Sequence, residues 1–176
     1  DERHDGSFEP AISRSTSRGA QMIRVFIADD HEFIRAGLTS ILAAIPDIEV
    51  IGEAANGHDV LQALREKTPD ALVLDMSMPG LSGLELIKRI KSEWPKQKIL
   101  VLTMHTNKQY AVRAIRAGAA GFLSKAIASE ELVAALRKIV AGKNAPTQFT
   151  NGLFGLGITD DFAEADQDMA GVIFGN

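Results

Sequence analysis

The chain has 176 residues, 45% of them apolar, a formal charge of −4 and no cysteine. That size allows one domain with a proper core plus tails, and hardly two. The missing thiols exclude disulfides, thiolate metal centres and cysteine nucleophiles, so the chemistry must use oxygen ligands.

No apolar run approaches the roughly 18 residues that span a bilayer, and the amino end has no hydrophobic signal core, so a soluble, cytoplasmic protein without membrane contact is expected. Charge is uneven: residues 1–21 hold three Lys/Arg against four Asp/Glu, residues 22–143 hold 16 against 14, and residues 144–176 hold none against five. No basic footprint of a nucleic-acid binder is present.

Residues 1–21 are polar and Ser/Arg-rich, and read as a flexible leader or expression remnant, with Met22 as the natural start. Met22 to Ala28 (MIRVFIA) is a short apolar strand running into Asp29 and Asp30. His31 and Glu32 open a helix in which Ile34, Leu38, Ile41, Leu42 and Ile45 share one face, ending at Pro46. Ile48 to Ala54 is the second strand, with Asn56-Gly57 as its turn. Val60, Leu61 and Leu64 form the inner face of a second helix, ended by Thr68 before Pro69.

Ala71 to Leu74 is a third strand, apolar on both faces, that stops on Asp75; Pro79, Gly80 and Gly83 then mark a tight loop. Leu84 to Trp94 is the third helix, with Leu84, Ile87, Ile90 and Trp94 inward and Lys88, Arg89, Lys91 and Glu93 outward. Lys98 to Met104 is a fourth strand bearing Thr103 near its end. Gln109 to Ala117 is a helix capped by Gly118, Gly121 to Ser124 a fifth strand leading to Lys125, and Ser129 starts a last helix whose Leu132, Val133, Leu136, Ile139 and Val140 turn inward.

Strands and helices alternate through connections that require right-handed parallel crossovers, the pattern of a flavodoxin-like (βα)5 doubly wound sheet in order 2-1-3-4-5. In that order Asp29/Asp30, Asp75, Thr103 and Lys125 lie on one rim, with the acids at the crevice between strands 1 and 3. Carboxylates about 5 Å apart at an effective dielectric near 20 repel by roughly 3 kcal/mol per pair, so three acids need a counter-charge. Lys125 supplies one unit, and an all-oxygen site with open water positions suits Mg²⁺ for the rest. Phosphoryl oxygens held by the metal, Lys125, Thr103 and loop amides would leave Asp75 as nucleophile, forming an acyl phosphate.

The DDH of Asp29 to His31, LVLDMSMPGLSGLELIKRI from Leu72 to Ile90, LTMH from Leu102 to His105 and AGAAGFLSK from Ala117 to Lys125 resemble the receiver domain of a two-component response regulator of NarL/FixJ (LuxR) type, over roughly Met22 to Lys143. The resemblance implies Asp75 as phospho-acceptor, Asp30 as the direct Mg²⁺ carboxylate, Asp29 acting through water, and the Ser77 carbonyl as a further ligand. It implies Thr103 and Lys125 as phosphoryl binders, Thr103 and Phe122 as switch positions, and Ser77 and His105 as positions that set the phosphate's lifetime.

The partner it implies is a sensor histidine kinase, and the output is a changed surface rather than a product, through homodimers formed by the helix 4, strand 5, helix 5 side. Lys125 is followed by Ala126 where the family has proline, so the expectation is either a trans bond with altered Lys125 placement or a strained cis bond.

The family's helix-turn-helix is not expected in residues 144–176, which hold no Lys or Arg; direct DNA binding is not expected either. Asp161 to Phe174 has the pattern of an amphipathic helix, with disorder as the alternative. Two rival functions are a dimerising binding module indifferent to phosphate and a Mg²⁺-dependent aspartyl-phosphate phosphatase. The phosphatase usually needs an acid two residues past the nucleophile, where Ser77 stands.

Overall fold

The computed structural model describes residues 21–104, 108–126 and 129–142. The elements are β1 (Ile23–Ala28), α1 (Glu32–Ala43), β2 (Ile48–Ala54), α2 (Gly57–Glu66), β3 (Ala71–Asp75), α3 (Gly83–Glu93), β4 (Lys98–Thr103), α4 (Lys108–Ala117), β5 (Gly121–Ser124) and α5 (Ser129–Val140). The strands form one parallel sheet in the order β2-β1-β3-β4-β5, as the alternation predicted.

Successive strand residues point to opposite faces, and here both faces are covered, which is why the strands read as continuous apolar runs. Phe26, Leu72, Leu74, Val101 and Phe122 pack with residues of α2, α3 and α4. Val25, Ile27, Val73, Leu100 and Leu123 pack with α1 and α5 on the other side.

The helix α1 departs from its sequence pattern. Of its expected inner face only Leu42 is fully buried within the helix, and Ile41 is 38% exposed, because α1 packs over β1 and the edge strand β2, where the sheet covers one flank only. Asn56, read as part of a turn, is the N-cap of α2: the Asp59 amide donates to its side-chain oxygen at 2.9 Å. Ser82 caps α3 in the same way.

Lys91 does not simply face solvent. Its Nζ donates to the Pro95 and Gln97 carbonyls at 2.5 and 3.0 Å, closing the turn after α3, and burial, with Lys98 nearby, pushes its pKa down. Gly118 has a φ of +114° and ends α4 as predicted. Residues 1–20, His105 and the 144–176 tail with its Asp161 to Phe174 pattern lie outside the described residues.

Candidate functional site

The sheet order sets β1 and β3 side by side, so the residues just past Ala28 and at the end of β3 meet at the centre of the carboxyl rim. Among the described residues the buried polar ones are Asp29, Asp75 and Thr103, at 2%, 1% and 1% exposure, and all three end strands of this rim. Buried polar groups are costly unless paired, so their collection at one edge marks a built site rather than an accident of packing.

Lys125, just beyond β5, reaches across β4 to join them. Its Nζ lies 2.6 Å from Asp29 Oδ2 and 3.2 Å from Asp75 Oδ2, with the lysine side chain 3% exposed. Its bond to Ala126 is trans, since no described peptide is cis, and the loss of the proline has not taken Lys125 from the acids. The expectation of displacement that came with a trans bond is therefore corrected: the Ala126 amide donates to Ser124 Oγ at 3.2 Å, which holds the turn without a ring.

Each buried acid is anchored by one oxygen. The Ser77 amide donates to Asp75 Oδ1 at 3.1 Å, and the His31 amide donates to Asp29 Oδ1 at 2.8 Å. The other oxygens, Asp29 Oδ2 and Asp75 Oδ2, stand at ion-pair distance from Lys125 but without the direction of a hydrogen bond, so they and Nζ are buried without a hydrogen-bond partner. Burial pushes the Asp75 pKa up; the Ser77 amide and Lys125 oppose this, while the Asp29 charge adds to it.

The loop after β3 is set by Gly83. A Cβ there would come within 2.9 Å of both the Cα and the carbonyl oxygen of Met76, so only glycine lets the start of α3 lie against the residue that follows Asp75. Gly80, at φ +97°, supplies the turn between them.

Of the expected site residues, Asp29, Asp30, Asp75 and Lys125 are brought together. Phe122 is buried in the apolar cluster that includes Ala111 and Ala114 of α4. Two residues were missed as members of the site. His31, the residue before α1, turns its Nδ1 to within 3.0 Å of Asp29 Oδ1, 3.1 Å of Asp30 Oδ1 and 3.8 Å of Asp75 Oδ2. Arg35 donates from Nη1 to the Asp29 carbonyl at 2.6 Å and pairs with Glu53 through Nε at 3.0 Å. The DDH tripeptide held the signal for His31, but the direction of its ring depends on how α1 leaves the rim.

Ligand atoms of Asp29, Asp30, His31 and Asp75 lie within 4.8 Å of one another. The carboxylate-rich donor set, with three acids facing a single ammonium, fits a divalent cation such as Mg²⁺.

A parallel α/β fold with buried acids and a lysine at its switch point defines the class to which known proteins can be compared. A family model described as the response regulator receiver domain matches residues 25–137. The response regulator UvrY of Escherichia coli is 43% identical over 122 residues, covering 69% of this chain and 56% of its own length. GacA of Pseudomonas aeruginosa is 38% identical over 122 residues, covering 69% and 57%.

Among solved structures, the signal receiver domain of the response regulator NarL from Mycobacterium tuberculosis is similar at 30% identity and a TM-score of 0.66, covering 69% of this chain and 98% of that one. The isolated receiver domain of RcsB from Salmonella enterica serovar Typhimurium, solved with the phosphomimetic BeF3−, gives 31% and 0.66, covering 71% and 93%. The chain belongs to the response regulator receiver domain family of two-component signalling, among its NarL/FixJ (LuxR-type) members. It spans little more than half the length of the curated relatives it matches. No helix among the described residues is long and apolar enough to cross a membrane.

Proposed function

We propose that Asp75 accepts a phosphoryl group from a phosphorylated sensor kinase in a Mg²⁺-dependent reaction, and that the phosphorylated state changes the α4–β5–α5 surface toward homodimerisation. The observation that carries this reading is the convergence of Asp29, Asp75 and Lys125 from three separate strand ends into one buried, ion-paired group. A similar receiver domain, that of RcsB, has been solved with a phosphomimetic.

An Asp75 carboxylate oxygen forms the new O–P bond as the P–N bond of a phosphohistidine breaks; the imidazole leaves with the electron pair and takes a proton from water. The Ser77 amide, bound to Asp75 Oδ1, fixes the orientation of the carboxylate. Asp29, Asp30 and Asp75, with the Ser77 carbonyl, would hold Mg²⁺, which neutralises charge on the phosphoryl oxygens when bound. Lys125, already 3.2 Å from Asp75 Oδ2, pairs with the added negative charge, and the Thr103 hydroxyl, buried at the end of β4, binds a phosphoryl oxygen. Phe122 would then respond by repacking under α4, since it has no hydroxyl to offer.

Acetyl phosphate with Mg²⁺, followed by intact-mass measurement of wild type and Asp75→Ala, tests this. One phosphoryl mass on the wild type alone supports it. Steady release of phosphate with no phosphorylated protein accumulating would point to the phosphatase, and no labelling with normal dimerisation to the phosphate-indifferent module.

A further inference from the structure

The Asp29 carbonyl lies where the sheet ladder runs out. The Asp29 amide donates to the Ala54 carbonyl at 3.0 Å, and β2 ends at Ala54. Asp29 is 2% exposed, so its carbonyl needs a donor from elsewhere. Arg35 of α1 supplies it: Nη1 donates to the Asp29 carbonyl oxygen at 2.6 Å, while Nε donates to Glu53 Oε2 at 3.0 Å. Glu53 is held from the same helix, since Thr39, one turn after Arg35, donates from Oγ1 to Glu53 Oε1 at 2.5 Å. One guanidinium thus joins α1, β2 and the end of β1, with its side chain only 18% exposed.

We infer that Arg35 is a positioning residue for the cation pocket, fixing the direction of Asp30 through the peptide that joins it to Asp29. The inference rests on the pocket binding Mg²⁺, as proposed above. The Asp29 carbonyl and the Asp30 amide share one rigid plane, so a carbonyl held at 2.6 Å sets where the Cα of Asp30 lies. Asp30 depends on this support more than its neighbours do. Asp29 and Asp75 each accept a backbone amide on one oxygen and pair with Lys125 through the other. The Asp30 side chain is 32% exposed, with the half-exposed His31 ring beside it at 3.1 Å. Mg²⁺ demands near-ideal octahedral geometry, so a carboxylate free to swing binds it less well. The charge of Arg35 acts the other way, because a guanidinium near an acidic pocket repels a divalent cation. Geometry and charge therefore give opposite signs for its removal.

Calorimetric titration of wild type, Arg35→Met and Arg35→Lys with Mg²⁺, together with urea midpoints of the metal-free proteins, tests the assignment. Arg35→Met is expected to weaken Mg²⁺ by about tenfold. Arg35→Lys keeps the charge and one donor but not the fork, and is expected to weaken it by about threefold. The Mg²⁺ concentration for half-maximal labelling by acetyl phosphate should rise in proportion, while the rate at saturating Mg²⁺ stays within about twofold. Unchanged or tighter Mg²⁺ binding by Arg35→Met, or a lowered urea midpoint with wild-type Mg²⁺ affinity, overturns the positioning role and leaves the pocket intact. If Arg35→Met does not fold, Arg35→Lys decides on the same terms, wild-type Mg²⁺ affinity overturning the role. A wild type that binds no Mg²⁺ would remove the pocket reading itself and this inference with it.

Discussion

Lys125 and Asp29, separated by most of the domain in sequence, meet at 2.6 Å in a site where both side chains are almost wholly buried. The lysine is the positive charge that permits two carboxylates to be buried together. Replacing one member of a buried ion pair leaves the other uncompensated, which typically costs about 3–5 kcal/mol. Lys125→Met is therefore expected to lower the urea midpoint strongly without Mg²⁺ and to regain part of the loss when Mg²⁺ is added. An unchanged midpoint would show that the acids do not depend on the ammonium.

Asp75 has the opposite balance. Its pKa is raised from 3.8, chiefly by burial, so between 3.8 and the raised value the folded protein binds more protons than the unfolded chain. Stability then falls as pH rises through the folded pKa, and the penalty is complete above it. Asp75→Asn is expected to raise Tm by a few degrees near neutral pH in the absence of Mg²⁺, with the difference closing below pH 3.8. A variant less stable than wild type at neutral pH would mean that the Lys125 pairing outweighs desolvation.

The two adjacent acids differ in burial, and their roles are separable on that ground. Asp29 is buried, whereas the Asp30 side chain is 32% exposed. Asp30→Asn is expected to weaken Mg²⁺ by roughly ten- to a hundredfold at unchanged urea midpoint. Asp29→Asn should disturb both, because it also removes the nearer of the two carboxylates paired with Lys125. Equal effects of the two substitutions on stability would contradict this division.

Gly83 controls the loop that carries Ser77. Adding a Cβ would press on Met76 backbone atoms at 2.9 Å, which cannot rotate away as a side chain can. Gly83→Ala is expected to cost about 1–3 kcal/mol by overpacking, and to slow labelling of Asp75 by acetyl phosphate because the Ser77 amide shifts with Met76. Wild-type stability and labelling rate together would show that the loop has slack.

Most of the architecture was legible because its signals are local. Apolar runs of strand length ending in Asp29, Asp75 and Thr103, alternating with helical periods and with few residues between, admit little besides a parallel sheet wound on both sides. The adjacency of Asp29 and Asp75 followed from strand order, since β1 and β3 must pair in that sheet. The gathering of Lys125 with them followed from the same topology.

What only the tertiary structure decided is direction and degree. The sequence placed Lys125 at the rim, but that it remains on both acids through a trans bond to Ala126 depends on how β5 turns. The exposure of Ile41 depends on α1 lying over an edge strand, and the inward turn of the His31 ring on the angle at which α1 leaves β1. Such features arise from contacts between distant segments. Periodicity reports which face of an element is apolar, whereas packing decides how fully that face is covered and where a polar side chain at its end can reach.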